Sequence, residues 1–127
     1  MQPELQKKFS TFQASIFIGI IWLSWHIPLF WLEGAAQQGG SFVSFALSVF
    51  SMSFLFSWLY VKTNGSLFFA VLFHTSINYA SALIVPFLIP SSNESKIFGI
   101  VFTIVLVVTA VLFAVRSRKL FMLKLEN

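Results

Sequence analysis

Four stretches of this chain, residues 14–32, 42–61, 67–89 and 97–115, contain no Asp, Glu, Lys or Arg. A bilayer's hydrocarbon core is about 30 Å thick, so a crossing helix needs roughly 20 apolar residues. Each stretch is close to that length. In lipid every backbone polar group must be satisfied internally, and a helix does this within one segment. The breaks between the stretches are short: 33–41 with three glycines, 62–66 with Asn64-Gly65, and 90–96. Their composition is that of turns, and none is long enough to hold another domain. The expectation is an all-α, polytopic membrane helix bundle of about four transmembrane helices, forming one membrane domain over 1–127.

Composition agrees. Of the 127 residues, 57% are hydrophobic and only 9% are charged, too few charges to cover a soluble surface. Lys7 and Lys8 precede the first stretch as they would a signal peptide. That stretch is longer than a signal sequence's apolar core, carries Trp22, Trp25 and His26, and is followed by further spans, so it reads as a retained helix. Cysteine is absent, which excludes disulfides, thiolate chemistry and iron–sulfur ligation.

The net charge of +4 is explained by topology, and nucleic acid is not expected as a partner. With four spans, both termini and the middle loop share one side. That side holds seven basic residues, Lys7, Lys8, Lys62, Arg116, Arg118, Lys119 and Lys124, against Lys96 on the other. The positive-inside rule then places both termini in the cytoplasm of a multi-pass protein of the plasma (cell) membrane.

Both histidines fall inside these stretches, His26 in the first and His74 in the third, with Asn78 one turn after His74. At i and i+4, His74 and Asn78 occupy one helix face. At 1.5 Å per residue His26 lies about 18 Å into its helix and His74 about 10–12 Å, so both fall near mid-bilayer. Intramembrane ionisable residues are functional candidates because desolvating them is costly. Stripes at helical spacing accompany them: Ser15, Gly19, Trp22 and His26 in the first helix, and Ala70, His74, Asn78 and Ser81 in the third. The second helix carries Ser41, Ser44, Ser48 and Ser51, whereas the fourth has only Thr103 and Thr109. Small and hydroxyl-bearing stripes face other helices, so the fourth helix is expected to meet lipid over much of its surface. Pro28 is expected to loosen the end of the first helix near His26. The aromatics, 18% of the chain, read as lipid-facing and interfacial bulk.

Two intramembrane histidines alone fall short of the three or four ligands zinc takes. The carboxylate side chains, Glu4, Glu33, Glu94 and Glu126, all lie at helix ends or in loops. No Gly-x-Ser-x-Gly occurs in the spans, so no serine nucleophile of that type is indicated.

Trp22, His26 and Pro28, with Trp25 beside them, resemble the second motif of the CAAX prenyl protease/Abi family, the CPBP intramembrane metalloproteases: an aromatic, three residues, then histidine, in a Trp-His-x-Pro context. His74 and Asn78 resemble the third motif, His-x-x-x-Asn, and residues 60–67 look like the turn leading into it. The resemblance runs over about residues 3–85 and implies an intramembrane endopeptidase. It implies that His26 helps activate water, while His74 and Asn78 stabilise the oxyanion or position the water. It also implies a divalent metal such as zinc, for which His26 and His74 are the candidate ligands. The family's first motif, Glu-Glu-x-x-x-Arg, does not occur in the 127 residues, and Pro3, Glu4, Leu5 and Gln6 look like the stretch that follows it. The resemblance therefore suggests a catalytic-core portion, N-terminally truncated so that this motif is absent and impaired or inactive alone, whose peptide or protein substrate is unknown. The alternative is a non-catalytic membrane interaction protein, such as a bacteriocin-immunity-type factor binding a membrane protein partner. A proton or solute pathway has little support, because no helix shows a continuous polar face.

Overall fold

The computed structural model describes residues 1–88 and 92–122. The last residue of the third expected span, the start of the loop at 90–96, Lys124 and Glu126 lie outside them. The described residues are helical, with no strand among them: α1 (Gln2–Gln6), α2 (Thr11–His26), a 3-10 turn (Ile27–Phe30), α3 (Phe42–Lys62), α4 (Leu67–Tyr79), a π segment (Ala80–Ile84), α5 (Val85–Leu88), α6 (Ser92–Arg116) and α7 (Arg118–Met122). Three helices are long and apolar enough to cross a membrane, Thr11–Phe30, Phe42–Lys62 and Asn93–Arg116, and Leu67–Leu83 is a shorter apolar helix. The chain is thus a helical membrane protein. The third expected span differs from expectation in being interrupted: its α-helical hydrogen bonding widens at Ala80–Ile84. Position 86 is proline, which has no N–H to continue the ladder, and the turn ahead of it is the widened one.

Local sequence sets the helix ends. Ser10 accepts from the Gln13 backbone N–H at 3.3 Å while the Gln13 side chain accepts from the Ser10 N–H at 3.1 Å, a capping box that starts α2. At the end of α3, Asn64 and Gly65 take φ of 52° and 84°. The Gly65 N–H donates to the Tyr60 carbonyl at 2.8 Å and that of Asn64 to Val61 at 3.2 Å. This pairing stops the helix and turns the chain into α4.

Helix α3 is the centre of the bundle, with α2 on one face and α6 on another. Toward α6 the core is Met52, Leu55, Leu106 and Ala110. Thr103, Leu106 and Ala110 are the buried face of α6, and Ile100, Ile104, Val108, Val111 and Val115 are exposed. An apolar surface of this extent is what lipid covers. This helix is thus exposed over much of its surface among the described residues, as a lipid-facing helix would be. The expectation of a serine stripe on α3 is met in part: Ser51 is buried, and Ser48 lies 3.0 Å from Thr103 of α6. Thr103 gives its single hydroxyl hydrogen to the Gly99 carbonyl at 2.9 Å, so Ser48 is the donor between the helices. A Ser48→Ala/Thr103→Val double-mutant cycle in micelles is expected to give a coupling of about 0.6 kcal/mol, the average for interhelical hydrogen bonds in bilayers. Additive effects would mean that the pair contributes no coupling.

Toward α2 the contact is made by small residues. Ser53 and Ser57, outside the expected stripe, are fully buried, as are Ala14 and Ser15 of α2. Helices α1 and α7 pack at one end of the bundle, where α2 begins and α3 and α6 end. Gln6 donates to the Thr11 hydroxyl at 2.8 Å, and Phe121 packs against Phe54 with centroids 5.9 Å apart.

Candidate active site

His26 is the last residue of α2, and the 3-10 turn containing Pro28 follows it directly. The α-helix therefore ends where Pro28 was expected to loosen it. The His26 Nδ1 lies 2.8 Å from the Trp22 carbonyl oxygen. That oxygen can only accept, so Nδ1 carries the hydrogen and Nε2 of the neutral ring keeps its lone pair. The bond also fixes the ring's orientation.

His74 sits in the middle of α4, half-buried, and its ring centroid is 5.4 Å from that of Trp22. Trp22 is in turn 6.3 Å from the His26 ring. One tryptophan thus packs against two imidazoles carried by different helices. No ring contact joins the two histidines directly among the described residues. Phe56 of α3 packs on Trp22 at 5.6 Å and on His74 at 5.8 Å, while Phe45 packs on His26 at 5.4 Å. The reading of the aromatics as bulk missed Phe56 and Phe45, whereas Trp22 already stood in the stripe with His26. The available signal was the spacing of Trp22 one turn before His26, which puts both on one face.

Asn78 follows His74 by one turn of the same α-helix, so the two share a face, and the π segment opens two residues later. Single π turns are frequent at functional positions. Asn78 is exposed, as is Ser81, and no residue of α4 is fully buried. The stripe on this helix therefore runs from the half-buried His74 outward to a face that no other described residue covers.

The donor set does not hold a metal by itself. Among the described residues no three His, Cys, Asp or Glu come together, and two imidazoles are at least one ligand short of zinc's usual set. Glu4 is not the missing group. Its carboxylate accepts from Lys7 at 2.8 and 3.0 Å, and that hydrogen bond and charge hold it below the usual carboxylate range. A carboxylate so stabilised is a weak base. Because one indole packs against both rings, Trp22→Ala is expected to lower any activity of the site by about 10²-fold, the cost of small misplacements. Trp22→Phe should retain most of it, and equal loss in both would show that ring packing is not what matters.

The family described as type II CAAX prenyl endopeptidase, Rce1-like, matches residues 1–80, a region that includes His26, His74 and Asn78. CAAX prenyl protease 2 of Methanococcus maripaludis is 34% identical over 86 residues, covering 63% of this chain. The chain spans 32% of that relative's length. No solved structure matches the chain.

Proposed function

The chain belongs to the Rce1-like type II CAAX prenyl endopeptidases, and from that premise we propose that it contributes His26, His74 and Asn78 to a peptide-bond-hydrolysing site within the membrane. The observation that carries the reading is the pair of imidazoles packed against one tryptophan, with no bond to His26 Nε2 among the described residues. That nitrogen takes a proton from water as the oxygen adds to the peptide carbonyl, and returns it to the leaving amine. His74 and Asn78 donate hydrogen bonds to the carbonyl oxygen as negative charge develops on it.

Such a base is weak without a carboxylate, and the 127 residues contain no Glu-Glu-x-x-x-Arg. The reading therefore assigns the carboxylate to a segment outside these residues. The intact mass of the protein from its source cells, compared with 14.4 kDa, tests whether that segment is covalently attached. The expected location is the plasma membrane with the basic end of the bundle in the cytoplasm. A non-catalytic membrane interaction protein is the second reading.

The direct test compares source-cell membranes with membranes lacking the gene. Peptides with prenylated and unprenylated Cys-aliphatic-aliphatic-X ends are incubated with each, and products are read by mass spectrometry. Prenylated ends come first because the archaeal relative is named a CAAX prenyl protease. Cleavage that depends on the gene supports the proposal; identical products across the whole panel would favour the interaction reading.

A further inference from the structure

At the end of the bundle opposite the 31–41 loop, a concavity of about 470 Å³ is lined by Lys62, Arg116, Ser117, Arg118, Lys119 and Leu120. The four cations come from two segments far apart in sequence, the end of α3 and the α6–α7 turn. The turn is fixed from below: the Trp58 indole N–H donates to the Ser117 hydroxyl at 3.0 Å, and Trp58 packs edge-on against Phe113 at 4.5 Å.

Topology alone asks only that basic residues lie on one side of the membrane. It does not ask them to converge on one hollow. Helix C-termini account for part of the charge, since α3 and α6 both end here and each end is equivalent to about −0.5 charge. Four cations against those two ends leave a surplus of about three. No described carboxylate lines the hollow, and the Lys7–Glu4 ion pair joins α1 to the residue that follows it.

Depth selects the ligand. Lys62 and Arg116 are the last residues of two helices long and apolar enough to cross the membrane, so the hollow sits where the hydrocarbon ends. We propose that it binds the phosphate of an anionic lipid headgroup. Basic hollows between membrane helices on the cytoplasmic side are suited to such headgroups, and the apolar α6 surface beside it is available to the acyl chains.

The test uses the full chain in mild detergent and native mass spectrometry, with phosphatidylglycerol, phosphatidylcholine and inorganic phosphate as probes. Phosphatidylglycerol is expected to be retained at least about ten-fold over phosphatidylcholine. Retention should fall on the order of 100-fold in Arg116→Gln/Arg118→Gln/Lys119→Gln, about five-fold per cation removed. Lys7→Gln/Lys8→Gln/Lys96→Gln removes as much charge elsewhere and should retain the lipid. Equal loss in both variants would reduce the effect to diffuse charge and overturn the site. Inorganic phosphate bound as tightly as the lipid, with no preference between the two lipids, would overturn the headgroup as its source. If the first variant fails to fold by circular dichroism, the wild-type chain still decides. Its lipid retention must drop between about 50 and about 500 mM salt, where the screening length shortens severalfold, and unchanged retention rejects the proposal.

Discussion

Replacing His26 with alanine is expected to lower gene-dependent peptide cleavage in source-cell membranes by about 10²–10⁴-fold, the usual contribution of a positioned general base. The amount of protein in the membrane should not change. His26 ends α2 and is half-exposed, so truncating it removes no buried packing of consequence. What it removes is the imidazole whose Nδ1–H is committed to the Trp22 carbonyl and whose Nε2 is therefore available to a water. His74→Ala should lose about 10²–10³-fold, the cost of deleting one oxyanion donor. Asn78 shares the face of His74, so the double variant His74→Ala/Asn78→Ala should lose less than the product of the singles, as groups that act together do. Wild-type cleavage by both histidine variants, at equal protein level, would leave the family fold without the family chemistry.

Gly19→Leu is expected to have the largest effect on the bundle itself. A Cβ at Gly19 would stand 2.7 and 2.9 Å from Cδ1 and Cε1 of the Phe50 ring and 3.1 Å from the Ser53 hydroxyl. These are core contacts between α2 and α3, and Ser53 is fully buried. The larger leucine cannot be accommodated by a small shift of one ring, so the helices must separate. Overpacking of this kind costs about 1–3 kcal/mol, enough to lower the folded-to-unfolded ratio by roughly 5- to 150-fold. The site should suffer with it, because Trp22 reaches His74 from α2. Gly99→Leu is the matched control: a Cβ there meets nothing within 4 Å, and replacing a helical glycine tends to stabilise. Denaturation midpoints in micelles decide the matter. Equal midpoints for the two variants would mean that the α2–α3 approach is not held by packing.

Parts of this arrangement are written along the chain. Charge-free segments of bilayer length state that the protein is a helical membrane protein, because lipid penalises any buried charge or open backbone. The Asn64-Gly65 pair marks a turn, and its positive φ values are the local consequence. The stripe Ser15, Gly19, Trp22 and His26 already points at a neighbour, and Ser15 and Gly19 are buried in the contact with α3. The residues that resemble the family motifs are likewise legible as short spacings. These are all properties of one helix or one turn at a time.

What lies between helices is not. Helical spacing puts one small-residue stripe on α3, whereas the helix buries Ser51 on one side and Ser53 and Ser57 on another. Residue spacing brings the two histidines to similar depth, but not both against Trp22. Nor does it bring Lys62 and the Arg116–Lys119 region to one hollow. The physical reason is common to all three. In water, an amphipathic stripe records which face of a helix is inside. In lipid both faces are apolar, and helix rotation is chosen by close packing of small residues and by a few hydrogen bonds between chain-distant partners. The sequence by itself determined that these helices enter the membrane, how many apolar segments there are and which loops carry the positive charge. Only the tertiary structure decided which faces meet, and with them the one tryptophan against which both imidazoles pack.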